Sequence, residues 1–89
     1  MNRQVWKHPL VLTEAPQTIT LRGAEAGIVH FAVGLRGFNV WTEEEPDSPV
    51  EQTRTVVIVG TGWDIPDGYA HRWTVLDGPY VWHLYEDVS

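Results

Sequence analysis

The chain has no cysteine among its 89 residues. That excludes disulfides, thiolate zinc sites and thiol nucleophiles, and it fits a reducing compartment. Positive charge is almost as scarce. Arg3, Lys7, Arg22, Arg36, Arg54 and Arg72 stand against twelve acidic residues, for a net charge of −6. The six are scattered along the chain, so the sequence offers no basic stripe to track phosphates and argues against a nucleic-acid partner. Serine occurs only at Ser48, between prolines, and at Ser89. Neither position has the surroundings of a nucleophile elbow. No apolar run approaches the ~20 residues of a membrane helix, which argues against a membrane partner. The opening segment Met1–His8 lacks the apolar core of a signal peptide, and the expectation from this is a cytoplasmic protein.

Helical periodicity is also missing. Glu14–Gln17 is interrupted by Pro16, and Ala24-Glu25-Ala26 sits between Gly23 and Gly27. What the chain has instead is alternation of period two. Gln17–Arg22 sets Ile19 and Leu21 on one face. Gly27–Leu35 sets Val29, Phe31, Val33 and Leu35 against Ile28, His30, Ala32 and Gly34. The link Leu35-Arg36-Gly37 leads as a hairpin into Phe38–Thr42. Arg54–Val59 is apolar on both faces, the mark of a strand covered on both sides. Tyr69–Leu76 and Tyr80–Tyr85 flank the turn Asp77-Gly78-Pro79, and Val5–Lys7 ahead of Pro9 reads as an edge strand. The acidic segment Glu43–Pro49 reads as an exposed loop. The expectation is one all-β domain over residues 1–89: a compact antiparallel β-sandwich or small open barrel of six to seven short strands, with little or no helix.

A thin core in a chain of this size consumes one face of each sheet. The apolar residues left over on second faces point to another layer, a ligand or a homo-oligomer.

Five tryptophans, three tyrosines and two phenylalanines dominate the side chains suited to recognition. Strand tryptophans Trp41, Trp73 and Trp82 fit core positions. Trp63 differs, because it lies in the loop Gly60-Thr61-Gly62-Trp63-Asp64. Glycine-rich loops after a buried strand can present backbone N–H groups to an anion. This one lacks the third glycine of a dinucleotide fingerprint and the Lys-Ser/Thr of a phosphate-binding loop, and no helix follows it. It reads first as a tight or bulged turn at a strand end, and second as a ligand-contacting loop. The candidate ligand site is Gly60, Thr61 and Gly62 for phosphates, Arg54 and Arg72 for charge neutralisation, and Trp63 for stacking on a base. Of four histidines, His71 and His83 lie on strands flanking one turn, but their spacing to other ligands does not make a metal motif. Asp64, Asp67 and His71 are the residues a small metal-dependent hydrolase would use. No residue set satisfies the nucleophile, base and stabiliser requirements, so no catalytic residue, metal or cofactor is expected.

Taken in order, Trp6-Lys7-His8-Pro9-Leu10, Thr53-Arg54 leading to Ile58-Val59-Gly60-Thr61-Gly62, Ile65-Pro66, and Trp82-His83-Leu84-Tyr85-Glu86 resemble a family of short, functionally unassigned proteins of bacteriophages and prophages. The resemblance spans nearly the whole chain. His8 stands where that pattern has tyrosine, and Trp63 where many members have histidine. The resemblance implies a host-cell cytoplasmic setting and supplies no catalytic residues. The expectation is a non-catalytic, homo-oligomeric accessory protein that binds a small nucleotide-like ligand or a host protein. A structural virion or assembly component and the small hydrolase are the alternatives.

Overall fold

The computed structural model describes residues 2–89. Seven strands follow one another: β1 (Gln4–Leu10), β2 (Gln17–Arg22), β3 (Gly27–Gly34), β4 (Gly37–Glu44), β5 (Glu51–Gly60), β6 (Tyr69–Asp77) and β7 (Tyr80–Asp87). They form a three-stranded sheet in the order β1-β4-β3 and a four-stranded sheet in the order β2-β5-β7-β6. Every pairing is antiparallel, and the described residues contain no helix. The sheets face each other as a β-sandwich, the first of the two architectures expected from the sequence.

The sandwich closes over alternate residues, as a period of two requires. In β4, Phe38, Val40, Thr42 and Glu44 are buried while their neighbours are not. Phe31, Leu21, Ile58, Leu84, Val40 and Val56 are at most 1% exposed. Phe31 stacks on Phe38 with ring centroids 5.7 Å apart. The β6–β7 hairpin turns on Gly78, whose φ of +56° suits the first central position of a two-residue turn and disfavours a side chain.

β5 and β6 both run antiparallel to β7, which lies between them, so they are parallel to each other. Residues 61–68 must therefore carry the chain back along the sheet. This crossover explains why β5 is apolar on both faces. Val56 and Ile58 join the central core, while Val57 and Val59 point the other way and are still only 2% and 4% exposed. The chain itself covers the second face of β5, so that strand gives no support to a partner subunit.

Three sequence expectations change. The pairing of β3 shifts between Ile28 and His30, so Val29 leaves the core face and is exposed; Leu35 lies in the hairpin turn and is fully exposed. Trp41 lies on the outer face of its sheet against His30, and Trp73 packs on the same histidine at 36% exposure, so neither is in the core. Glu43 and Glu44, expected in an exposed loop, extend β4, and Glu44 is 6% exposed.

Glu44 ties the two sheets together. Its carboxylate accepts the Arg22 backbone N–H from β2 at 2.8 Å, His8 Nε2–H at 2.8 Å and the Thr42 hydroxyl. Beside it, the Glu45 N–H donates to the Arg22 carbonyl at 2.9 Å. Burial pushes the Glu44 carboxyl up, but the hydrogen bonds from Thr42, His8 and the Arg22 amide outweigh it and hold the group below its ordinary 4.5. The folded state therefore gains stability from Glu44 above pH 4.5, and loses it as the pH falls through the depressed value. Glu44→Gln should lower stability by about 2 kcal/mol, since hydrogen bonds to an ionised group contribute roughly 1.5–3 kcal/mol. Urea unfolding against pH checks this: the acid-side decline of the wild type should be shallower in the variant.

Candidate ligand-binding site

Gly60, Thr61, Gly62 and Trp63 gather at one end of the sandwich. The Trp63 N–H donates to the Gly60 carbonyl at 3.0 Å, which closes the turn, and Gly62 takes a φ of +87° within it. The chain thereby folds Trp63 back over the end of β5. Its indole meets Trp82 edge to face, with centroids 5.7 Å apart and planes at 74°. A Cβ on Gly60 would lie 2.9 Å from Trp63 Cε2 and 3.1 Å from Trp82 Cζ3. Glycine is needed there because two indoles close on its α-carbon.

Trp82 is fixed on its remaining sides. It packs edge to face on Phe38 of the core at 5.6 Å, stacks on Tyr80 at 5.9 Å, and its indole N–H donates to Asp77 at 3.2 Å. Thr61, Trp63, Tyr80 and Trp82 wall a recess of about 460 Å³ with Gly60 and Pro79. Trp63 is 38% and Tyr80 60% exposed, so solvent reaches the ring surfaces. On the other side of Trp63 a second recess of about 450 Å³ carries Glu14, Val57, Val59 and Asp64.

Arg54 and Arg72 do not belong to this site. Gly60 pairs with Trp82, whereas both arginines meet Glu86, four positions further along β7. At the rise of a strand that is about 13 Å. The sequence expectation of one pocket uniting Gly60–Trp63 with Arg54 and Arg72 is thus corrected. Arg54 lies six positions before the loop on an extended strand, and the parallel β6 brings Arg72 to that same far end. The arginines do converge, but on a buried carboxylate: Arg54 Nη1 donates to Glu86 at 2.7 Å and Arg72 Nε at 2.8 Å.

The histidines are spread over three environments. His71 and His83 share the Thr74 hydroxyl, at 2.7 and 3.0 Å, and His83 also reaches Thr61 at 3.4 Å. His30 packs between Trp41 and Trp73. His8 binds Glu44. Among the described residues no three His, Asp or Glu side chains converge as metal ligands, and Asp64, Asp67 and His71 form no such group. No helix of the described residues is long and apolar enough to cross a membrane.

Two members of the aromatic recess, Tyr80 and Trp82, lie outside the candidate site read from the sequence, which places Trp82 in the core. Their signal was there: the Gly78-Pro79 turn sets them two apart on one strand face, at the end where β5 reaches its glycines. The same holds for Glu44, which continues the buried alternation Phe38, Val40, Thr42.

Fold and site define a small antiparallel β-sandwich with a preformed aromatic recess at one end and ion-paired carboxylates at the other. A family model described as "Domain of unknown function (DUF7352)" matches residues 1–89, and the chain belongs to that family. No curated protein and no solved structure matches the chain.

Gly60→Ala tests the geometry of the recess. The added methyl must displace Trp63 or Trp82, at a cost of about 1–3 kcal/mol for overpacking. Circular dichroism should lose the signal of the coupled indoles, with a matching fall in thermal midpoint; an unchanged spectrum would show that the rings do not close on Gly60.

Proposed function

We propose that this protein is a non-catalytic binding module that takes a planar ring of its ligand in the recess between Trp63 and Tyr80. The observation that carries the reading is the fixed aromatic wall. Trp82 is held by Phe38, Tyr80 and Asp77, and it in turn sets the angle of Trp63. Rings held in place before binding lose little conformational freedom on contact, which is what makes aromatic residues effective anchors. Tyr80, stacked on Trp82, is 60% exposed, and the Thr61 hydroxyl in the recess wall gives a polar contact that orients the guest.

A nucleobase fits this chemistry, and so does an aromatic side chain of a host protein. The phosphates of a nucleotide find no cation among the residues lining the recess, because the arginines lie at the other end. The reading therefore favours an uncharged ring over a nucleotide held by its phosphates. The resemblance to short phage and prophage proteins supports a host component as the guest. Self-association is the second part of the proposal: edge strand β1 leaves Val5 and Trp6 exposed, and Leu76 on β6 is exposed as well.

The test is titration of tryptophan fluorescence with nucleosides and with aromatic amino-acid amides. Stacking on one ring contributes about 1–3 kcal/mol, so Trp63→Ala should weaken binding roughly ten- to hundredfold. Equal affinity of wild type and Trp63→Ala for every guest would reject this site.

A further inference from the structure

We propose a second, separate binding site: the free edge of the Arg72 guanidinium takes an oxyanion, carboxylate or phosphate, at the end of the sandwich opposite the aromatic recess.

The site starts from an irregularity in β6. The pairing of β6 with β7 shifts between His71 and Trp73, which leaves Arg72 as the extra residue of a bulge. A bulge re-aims the side chain it carries. Here it turns Arg72 towards Glu86, which is only 3% exposed and faces the same side as the core residue Leu84.

The hydrogen bonds around Glu86 divide the two arginines into different roles. Every nitrogen of Arg54 has a partner: Nε donates to Gln52, Nη1 to Glu86 and Nη2 to the Ala26 carbonyl at 3.0 Å. It neutralises Glu86 and joins β5 to the β2–β3 connection. Arg72 makes a single contact, from Nε to the other Glu86 oxygen. Its Nη1 and Nη2 groups have no partner among the described residues, and its side chain is 40% exposed. One carboxylate between two guanidinium groups leaves one positive charge in excess, on a chain whose net charge is −6. That charge is most accessible on Arg72, whose two outer nitrogens have no partner among the described residues.

Holding Arg72 by Nε fixes the plane of the guanidinium and leaves its outer pair of nitrogens as a ready fork. A planar fork with two parallel N–H groups matches the two oxygens of a carboxylate or phosphate. The fork lines a recess of about 260 Å³ together with Ile28, Trp73, Arg54 and Glu86. The volume suits a headgroup with a small apolar body, and the half-exposed Trp73 gives that body a surface. Glu86 lines the recess as well, but its charge is taken up by Arg54 and by Arg72 Nε, so Glu86 and Arg54 act as positioning residues that set Arg72.

The experiment is a two-dimensional NMR titration of the whole chain with inorganic phosphate and, separately, with benzoate, against chloride at matched ionic strength. Saturable shifts are expected at the Arg72 side-chain N–H groups and the Trp73 indole. Phosphate binding without benzoate would identify the guest as a phosphate; benzoate without phosphate would identify a ring-bearing carboxylate. Arg72→Ala should weaken binding about ten- to hundredfold, as loss of charged hydrogen bonds implies. Arg72→Lys keeps the ion pair with Glu86 and the fold but lacks the fork, and it too should bind more weakly. A purely structural role would leave the titration unchanged in the lysine variant. Absence of saturable shifts with both anions, or equal affinity in Arg72→Ala, would overturn the proposal. So would shifts confined to other arginines. Failure here leaves the aromatic recess untouched, since no residue is shared.

Discussion

Two carboxylates buried at one end of a thin sandwich set the terms for the rest of the molecule. An ionised group in a protein interior is costly unless donors surround it. Glu44 meets this with a backbone amide, an imidazole and a hydroxyl, and Glu86 with two guanidinium groups. In satisfying Glu44 the chain must bring β2 onto β4, strands of different sheets. In satisfying Glu86 it draws β5, β6 and β7 together and anchors the β2–β3 connection through Ala26. The register of both sheets follows from these contacts as much as from the hydrophobic core between them.

Because one end is closed by ion pairs, the aromatic residues are left to close the other, and they do so incompletely. Phe38 and Trp82 complete the core there, Trp63 folds over them, and Tyr80 extends the wall into solvent. The glycines of the β5–β6 turn serve this packing. Gly60 makes room for two indoles, and Gly62 allows the reversal that brings Trp63 back. A loop whose composition suggests phosphate binding is here a device for placing a tryptophan. Hydrophobic closure at one end and charged closure at the other give a small domain two chemically distinct recesses without a cleft between domains.

The fold was largely legible from alternation and turn residues. Strands β2 to β7 and the Gly78 turn follow from period two and from glycine placement. The misreadings share a physical cause. Val29 and Leu35 follow from strict alternation, and a bulge or a turn shifts which side a residue takes without leaving a mark in composition, whereas Trp41 and Trp73 rest on the general burial of tryptophan, which the outer faces of a thin sandwich do not provide. Glu44 was hidden because acidic residues next to prolines ordinarily form solvated loops, whereas three donors from distant segments make its burial tolerable. The candidate site was half legible. Trp63 and its glycines are adjacent in sequence and stay together in space. Arg54 and Arg72 could be separated from them only by knowing that β7 inserts between β5 and β6, and strand order is a property of the whole chain.

The proposed role of the Trp63 end of the sandwich is to hold a guest in a preformed recess. Native mass spectrometry of the protein isolated from the cells that produce it, beside Trp63→Ala prepared the same way, addresses it most directly. The wild type should carry a bound small molecule or host polypeptide that dissociates on denaturation and is absent from the variant. The same bound mass on both proteins, or none on the wild type, would contradict it.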